Sequence, residues 1–473
     1  VNTNAAKLVQ DDMGLSDVQV ELFMGSLNLF SMLGAIGAQF VSDRFGRRQS
    51  FIVAAVGFIV GCLMMSIAQD YATLIIGRVT VGFGVGFGLA IDPVYISEIS
   101  PASHRGMLVT WSELAINIGL LIGFSSGLIF YSAPANIAWR WMFGVGAIMP
   151  SILILLVIFV MPESPRWLVQ KDMDDEARCV LAKIYPPGFD VAVVVKDIRD
   201  NITKEAEAEQ ATGWGVIFQP SPAFRRMLIV GIGVAISQQI VGIDAIQYFL
   251  AYILDEAGIT TRGAQGVVLI FLGVIKTFAI IYAGNFFDRR GRLPLLFVSL
   301  GGMAFALVIL AFNFYSDKSS AAFAVFALAL YLAFFSLGMG PGAWLIPSEV
   351  FSTTIRAKAM SVATFLNRAT ATIMASSFLS VANTITWAGF FLLLAGICFI
   401  CFVFIWCFVP ETKGKSLEDM SYYFAEITGD TSILDVMNAT TAPRTEVEEE
   451  TSSMISAAGS TNRQALETSG HLA

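Results

Sequence analysis

Charged side chains occur inside several long apolar stretches of this 473-residue chain, where they are candidates for chemistry. Glu113 precedes Asn117 by four residues, so a helix would place both side chains on one face. Asp244 and Lys276 stand in the middle of two further stretches. A charge that faces lipid is costly, so such residues usually face a bundle interior or a polar cavity. The alternative, that a side chain reaches the headgroups from a helix end, is weak at mid-stretch positions.

Amide and aromatic side chains accompany these charges. Gln238 and Gln239 precede Gly242, where a bent helix would expose backbone groups to a cavity. Tyr248 and Trp344 supply aromatic faces in apolar stretches. Hydrogen-bonding side chains beside aromatic rings suit a small polyhydroxylated solute, because its hydroxyls need donors and acceptors while its C–H faces stack on rings.

Arg78 and Asp92 share one apolar stretch. Asp92 lies close to the end of that stretch, so its carboxylate can reach the headgroup region. A second reading makes Asp92 a protonatable site, and both readings stay open at this point.

Several classes of chemistry are disfavoured. The two histidines, His104 and His471, lie outside the apolar stretches, so a histidine relay inside a membrane is excluded. Cys398 and Cys401 stand three apart without further ligands, which is typical of small apolar filler rather than of a metal site. No Walker loop occurs, and the glycines of segment 82–88 favour close helix packing. We therefore predict no metal and no cofactor, and an enzyme is disfavoured.

Three charged motifs recur in the same order, at offsets between 245 residues (288 − 43) and 251 residues (349 − 98). Each copy closes an apolar stretch in its own half of the chain. The recurrence predicts an internal duplication of a multi-helix membrane unit, an architecture that moves something across a bilayer. The paired copies are segments 43–48 and 288–292, Glu98 with Arg105 and Glu349 with Arg356, and Pro162-Glu163-Ser164 and Pro410-Glu411-Thr412.

The composition agrees with a membrane protein, since 56% of the residues are hydrophobic and 14% are charged. A helix needs about 20 apolar residues to cross a bilayer, and the alternating pattern of a β-barrel is absent from the sequence. The sequence therefore predicts an all-α protein with eleven spans. These lie near residues 21–42, 50–69, 71–96, 107–131, 139–161, 225–254, 264–287, 293–314, 320–346, 358–384 and 387–409.

Lysine and arginine concentrate in the loops on one side of these spans, which the positive-inside rule predicts to be cytoplasmic. Five spans precede the charged segment 162–224 and six follow it, so we expect that the first of twelve helices is missing from this sequence. The predicted organisation is an N-terminal bundle (1–161), a cytoplasmic helical linker (162–224), a C-terminal bundle (225–409) and a largely disordered cytoplasmic tail (410–473).

From about residue 15 to 420 the chain closely resembles the sugar porter family of the major facilitator superfamily. Pro-Glu-Ser-Pro-Arg together with Gln-Gln-x-x-Gly is highly specific to that family. The motifs that carry the resemblance are Asp43-Arg44-Phe45-Gly46-Arg47-Arg48, Gly77-Arg78, Pro162-Glu163-Ser164-Pro165-Arg166, Gln238-Gln239-Ile240-Val241-Gly242, Asp288-Arg289-Arg290-Gly291-Arg292, Gly340-Pro341-Gly342-Ala343-Trp344 and Pro410-Glu411-Thr412-Lys413-Gly414.

The resemblance implies two six-helix bundles and a central solute site that is reached by alternating access. Asp244, Glu113, Lys276 and the pair Asn367-Arg368 look most like the polyol and inositol transporters of the family. The residues implied to bind solute are Glu113, Asn117, Gln238, Gln239, Asp244, Tyr248, Lys276, Trp344 and Asn367.

The resemblance also implies a cytoplasmic gate of ion pairs that hold the two bundles together and break as the site opens inward. Exposed ion pairs are worth only about 0–1 kcal/mol each, so a network can stabilise one state without locking it. The gate residues implied are Asp43, Arg47, Glu98, Arg105, Glu163, Arg166, Asp288, Arg292, Glu349, Arg356 and Glu411.

Arg78, Lys276 and Asp244 are charged residues inside the apolar stretches, so their ionic partners matter. In proton-coupled members Arg78 would pair with an aspartate of the first helix, so here we expect Arg78 to be unpaired. Our hypothesis for the solute site is that Lys276 and Asp244 form a charge pair, which solute hydroxyls partly share.

The sequence thus predicts a secondary transporter of a polyol or monosaccharide, driven by protons. A facilitator of the same solutes and a non-transporting sugar sensor are the alternatives. The expected partners are a small polyhydroxylated solute and the lipid bilayer, with no nucleic acid and no obligate protein partner. The plasma membrane is the expected location, with the vacuolar and plastid membranes as alternatives.

Overall fold

The computed structural model describes residues 2–100, 105–185, 190–212, 214–316, 320–352, 355–415 and 417–430. Within the helices, the side chains of residues 2, 105–113, 204–212, 285–289, 357, 417 and 418 lie outside this description. In these ranges every regular element is an α-helix, which confirms the all-α prediction.

We call residues 2–159 the N-terminal half and residues 222–408 the C-terminal half. Seven helices form the N-terminal half: α1 Asn2–Met13, α2 Asp17–Phe45, α3 Arg47–Ile67, α4 Tyr71–Ile99, α5 Arg105–Ile129, α6 Ala135–Val145 and α7 Ile148–Phe159. Four helices connect the halves: α8 Pro165–Gln170, α9 Asp174–Ile184, α10 Val191–Thr212 and α11 Gly215–Phe218.

The C-terminal half continues the helical pattern, and one amphipathic helix follows it. The helices are α12 Pro222–Ile240, α13 Ile243–Tyr248, α14 Leu250–Glu256, α15 Arg262–Arg290, α16 Arg292–Tyr315, α17 Ala321–Leu337, α18 Met339–Val350, α19 Arg356–Ile385, α20 Trp387–Phe408 and α21 Leu417–Thr428.

Nine helical segments of the described residues are long and apolar enough to cross a membrane. Two of the eleven predicted spans are not among them. The predicted span 107–131 qualifies only as a shorter apolar helix, Leu114–Ile129. The span 358–384 lies within α19, whose polar residues, among them Asn367 and Arg368, lower its hydropathy. Both segments are nevertheless helical, so the difference concerns their apolarity and not their secondary structure.

Two helices occupy regions where the sequence predicted none. The sequence placed no helix before residue 21, yet α1 packs against α5, α6, α13 and α14. Its Asp12 carboxylate accepts a hydrogen bond from the Trp139 indole at 3.0 Å. In the predicted disordered tail, α21 buries Met420 and Phe424, which lie on one helix face and face α12 and α18. The rest of that predicted tail, from residue 431, lies outside the described residues.

The glycine run of α4 serves close packing, as predicted. A methyl group at Gly86 would lie 2.0 Å from the Ser31 carbonyl oxygen of α2, and one at Gly84 would lie 2.8 Å from the Ala54 carbonyl oxygen of α3. The two glycines therefore let α4 contact its neighbours backbone to backbone on two sides.

Candidate solute-binding site and gates

Three buried amides form a hydrogen-bonded cluster where α12, α18 and α19 meet. The Asn367 amide nitrogen donates to the Gln238 side-chain oxygen at 2.9 Å and to the Ala235 carbonyl at 2.7 Å. Gln238 in turn donates to the Gly340 carbonyl at 2.8 Å. Gln239 donates to the Asn367 side-chain oxygen at 3.4 Å. Three of the predicted solute-binding residues therefore lie together.

The side-chain oxygen of Gln239 has no hydrogen-bond partner in the described structure, although Gln239 is only 2% exposed. A buried acceptor without a donor costs about 1–3 kcal/mol. Such an atom next to a polar cluster is suited to accept a hydrogen bond from a solute.

Arg368 connects this cluster to Asp244. Its Nε and Nη2 donate to the Asn367 side-chain oxygen at 3.0 and 2.7 Å. Its Nη1 lies 3.6 Å from the Asp244 carboxylate. Asp244 therefore pairs with Arg368 and not with Lys276, which corrects the predicted charge pair. Gly242 has a φ of +91° and separates α12 from α13, which places Asp244 in the first turn of α13.

Lys276 has a partner that the sequence analysis did not single out. Its ammonium donates to the side-chain oxygen of Gln247 at 3.1 Å. Gln247 is buried on α13, three residues after Asp244 and therefore on the same helix face. Its backbone carbonyl accepts a hydrogen bond from the Thr3 hydroxyl of α1 at 2.9 Å, so this position connects the two halves.

Tyr248 also reaches across to the N-terminal half. Its hydroxyl donates to the Asn28 side-chain oxygen at 3.5 Å, a long contact. Arg78 lies nearby, fully buried, with Nε donating to the Phe23 carbonyl at 3.1 Å and the guanidinium 4.7 Å from the Phe23 ring centre. Its Nη1 has no hydrogen-bond partner among the described residues.

The remaining predicted site residues are less tightly connected to this cluster. Asn117 is buried on α5, and Asp92 is half-buried on α4 immediately before Pro93. Trp344 is half-buried on α18, one helical turn after Gly340, whose carbonyl binds Gln238. The predicted contribution of Glu113 lies outside the described residues, because its side chain is among those excluded.

An ion-pair cluster closes one end of the N-terminal half. Arg47 binds Glu98 through two parallel bonds of 2.8 and 2.7 Å. The Glu163 carboxylate accepts from the backbone N–H groups of Arg47 at 2.9 Å and of Arg48 at 3.3 Å. Gly46, which joins α2 to α3, has a φ of +98°. A methyl group there would lie 2.4 Å from a Glu163 oxygen.

The C-terminal half repeats this arrangement at the corresponding motifs. Arg292 binds Glu349 at 2.6 Å. The Glu411 carboxylate accepts from the backbone N–H groups of Arg292 and Leu293, both at 3.0 Å. Gly291 joins α15 to α16 with a φ of +91°. The predicted internal repeat is therefore confirmed at these motifs. We call the two clusters the N-terminal and C-terminal clamps, and the end at which they lie the clamp end.

Glu411 shows how a clamp carboxylate is stabilised. Burial raises the pKa of Glu411, but hydrogen bonds from the backbone N–H groups of Arg292, Lys413, Leu293 and Thr412 outweigh it, so its pKa is lower than usual. The carboxylate therefore stays ionised in the folded protein.

The resemblance implies that the gate residues hold the two bundles together while the site faces outward, and in this conformation the described pairs lie within single halves. Arg47 pairs with Asp43 at 3.4 Å and with Glu98, and Arg292 pairs with Glu349. Each of these pairs joins residues of one half, so in this conformation they brace the halves separately. The reason is local, because each arginine follows the glycine that joins two helices of the same half. Arg166 and Arg356 also lie at the clamp end, whereas the side chains of Arg105 and Asp288 are outside the described residues.

A second group of hydrogen bonds between the halves lies at the opposite end, which we call the latch end. The Glu21 carboxylate of α2 accepts from the Ser380 backbone N–H of α19 at 2.6 Å and from the Ser380 hydroxyl. Further bonds join the same two halves there. They are Lys7 with Asp255, Tyr252 with Gln10 at 2.7 Å, and Asn383 with Asp17 at 3.0 Å.

A duplicated helical bundle with a polar cluster between the clamp end and the latch end defines a multi-pass membrane transporter of the major facilitator type. The chain belongs to the family described as Sugar (and other) transporter, which it matches over residues 1–424. That family consists of transporters and not of enzymes.

Individual relatives agree with this assignment. Polyol transporter 5 of Arabidopsis thaliana is 36% identical over 446 residues, which cover 90% of this chain and 82% of that protein. The inward open conformation of the xylose transporter XylE from E. coli matches with a TM-score of 0.75 and 26% identity, over 89% of this chain and 95% of that chain. A structure described as a D-xylose-proton symporter matches with a TM-score of 0.69 and 25% identity, over 88% and 96% of the two chains. The predicted family resemblance is confirmed.

Proposed function

We propose that this protein carries a polyol or a monosaccharide through the bilayer by alternating access, and that the amide cluster of Gln238, Gln239 and Asn367 lies at its solute site. The observation that carries the proposal is the buried side-chain oxygen of Gln239, which has no hydrogen-bond partner among the described residues and lies beside the Arg368–Asp244 pair. Solute hydroxyls can both donate to such an oxygen and accept from charged donors. The similarity to a polyol transporter supports the polyol among these solutes.

Lys276, Tyr248, Trp344, Asn117 and Glu113 complete the proposed site. Lys276 places an ammonium near the Gly242 break, and Gln247 holds it. Asn117 and Glu113 belong to α5, which packs against α15, the helix that carries Lys276. The N-terminal half would thus contribute polar groups to a site built mainly by the C-terminal half.

We propose that transport is coupled to protons. Arg78 is fully buried, and one of its nitrogens has no acceptor in the part of the chain that the structure describes. An ionisable partner that approaches it would therefore be strongly biased towards its charged form. The match to a protein described as a proton symporter supports coupling. Facilitated transport of the same solutes is the alternative, and Asp92 remains a second candidate for proton binding.

The proposed cycle moves the N-terminal bundle (1–161) against the C-terminal bundle (225–409), with residues 162–224 as the cytoplasmic linker and the segment from 410 as a cytoplasmic tail. The clamp end, rich in arginine, would face the cytoplasm under the positive-inside rule. The bonds between the halves at the latch end would then close the protein to the outside. We propose the plasma membrane as its location, ahead of the vacuolar and plastid membranes.

The test is uptake by the full chain in cells that lack endogenous sugar uptake, with the external pH recorded. Sorbitol, mannitol, myo-inositol, xylose and glucose are added in turn. Alkalinisation with labelled uptake supports a proton symporter and identifies its solutes. Uptake without a pH change supports the facilitator, and no uptake of any of these solutes would contradict the proposal.

A matched pair of variants ties uptake to the cluster. Gln239→Met should abolish most uptake, because it removes the proposed acceptor. Gln265→Met removes another interior glutamine amide, one that donates to the Ile259 carbonyl at 2.7 Å near the latch end. The Gln265→Met variant should keep its uptake.

A further inference from the structure

We infer that Arg368 is a positioning residue, which fixes the orientation of the Asn367 amide and thereby makes the Gln239 side-chain oxygen the acceptor offered to a solute hydroxyl. The inference rests on the proposed solute site and refines it. It gives a role to a charged side chain on α19, a helix of a membrane protein, where burying a charge costs free energy.

The orientation of Asn367 is set first by the arginine. An asparagine amide has an oxygen that accepts and a nitrogen that donates, and the two ends are nearly equal in shape. Arg368 places two N–H groups on the oxygen, at 3.0 and 2.7 Å. Hydrogen bonds from a charged donor are stronger than neutral ones, so the oxygen end is held towards Arg368.

Asn367 in turn determines how its neighbours are oriented. With its oxygen held, its nitrogen uses both N–H groups, on the Ala235 carbonyl and the Gln238 side-chain oxygen. Gln238 therefore accepts at that contact and turns its own nitrogen to the Gly340 carbonyl at 2.8 Å. Each amide in this chain of bonds has a single consistent orientation.

Asn367 itself has little capacity left for a solute. Its oxygen accepts from Arg368 twice and from Gln239 at 3.4 Å, and its nitrogen has used both hydrogens. Asn367 therefore supports the site in this conformation, and direct contact with solute falls to Gln239. The Gln239 nitrogen points to Asn367, and the Gln239 oxygen has no partner within the described ranges.

Asp244 completes the arrangement from the other side of the guanidinium. Its carboxylate lies 3.6 Å from Nη1, the nitrogen that does not bind Asn367. The side chains of Arg368 and Asp244 are 16% and 22% exposed, so both ions are largely removed from solvent. The pair keeps the planar guanidinium directed at Asn367, which the ammonium of a lysine would do less well.

The experiment measures KM and maximal rate of uptake for sorbitol and xylose in Arg368→Met, Arg368→Lys, Gln239→Met and the double variant. We expect Arg368→Met to raise KM about tenfold, as for loss of one hydrogen bond to solute. The maximal rate per molecule at the surface should change less than twofold. Arg368→Lys keeps the charge and one donor, so its KM should lie between wild type and Arg368→Met.

The double variant separates positioning from general support of the fold. If Arg368 acts through Gln239, KM in the double variant should equal that of Gln239→Met alone, because the two effects are not additive. Arg226→Met serves as the control. Arg226 also donates to a carbonyl, that of Cys407 at 3.3 Å, but at the clamp end, so its KM should be unchanged.

Each result has a defined meaning. An unchanged KM in both Arg368 variants, or additive effects in the double variant, would overturn the inference while leaving the proposed function intact. A loss of maximal rate at unchanged KM would show a structural role and would also overturn it. Wild-type protein that takes up none of the solutes would instead contradict the proposed function.

Discussion

The Glu21 carboxylate of α2 and residue Ser380 of α19 are joined by two hydrogen bonds, one from the serine backbone and one from its hydroxyl. Glu21 is 1% exposed, so these bonds replace its hydration. A carboxylate that loses water needs such replacement donors. The bond pair therefore ties the N-terminal half to the C-terminal half at the latch end and stabilises the conformation in which this end is closed.

Ser380→Ala should shift the protein towards conformations that are open at the latch end. The variant leaves buried Glu21 without its hydroxyl donor, which costs about 1–3 kcal/mol. The measurement is the labelling rate of Ser376→Cys, in a background without the five native cysteines, by a membrane-impermeant thiol reagent. Ser376 faces Gly25 of α2 one helical turn deeper and should become more reactive.

Ser377→Ala is the matched control for that experiment. Its hydroxyl binds the Ile373 carbonyl of its own helix at 2.8 Å and is exposed. Labelling should match that of the parent protein. Equal labelling in Ser380→Ala and Ser377→Ala would show that the Glu21–Ser380 bonds do not control this end.

Lys276→Asn should weaken uptake of polyols more than uptake of hexoses, because it removes the ammonium from the proposed site. Gln247→Met should shift the ratio in the same direction, since Gln247 holds that ammonium at 3.1 Å. The measurement is the ratio of sorbitol to glucose uptake at equal surface amounts. A ratio that stays constant in both variants would refute this role, and Gln265→Met again provides the control.

Glu411→Gln should lower the thermal stability of the purified protein at neutral pH. The pKa of Glu411 is lower than usual, so its carboxylate stabilises the fold above the ordinary glutamate pKa of about 4.3 and loses this contribution as the pH falls. The difference in melting temperature from wild type should therefore be largest at pH 7 and shrink below about pH 4.

Glu426→Gln is the comparison for Glu411→Gln. Glu426 is exposed on α21, so its loss should leave the melting temperature unchanged at both pH values. A pH-independent effect of Glu411→Gln would mean that the variant acts through packing and not through the carboxylate.

Gly46→Ala should destabilise the N-terminal clamp. The φ of +98° is unfavourable for alanine, and the new methyl group would lie 2.4 Å from a Glu163 oxygen. The backbone alone costs about 1–3 kcal/mol. We expect a lower melting temperature and less protein at the membrane. Gly301→Ala, with nothing within 4 Å of the added methyl group, should be neutral, and equal behaviour of the two variants would exclude strain at Gly46.

The helical class, the duplicated motifs and the membership of the amide cluster were predictable from the sequence, because long apolar runs and fixed motifs carry them. The ion-pair partners of the charged residues could not be predicted from the sequence. Asp244 contacts Arg368 rather than Lys276, and that choice depends on how α13 turns after Gly242. Gln247 had a weak signal, its spacing of three from Asp244. Helix α1 was missed because its mean hydropathy is too low for a span, and only its packing stabilises it.

Because the ion pairs of each clamp join residues of one half, the clamps and the contacts between the halves can change independently during evolution. Arg47–Glu98 and Arg292–Glu349 each join residues of one half, whereas a different set of bonds joins the two halves at the latch end. Substitutions among the few residues that cross between the halves can therefore retune the resting conformation and the turnover rate over evolutionary time. The architecture of each bundle need not change for that to happen.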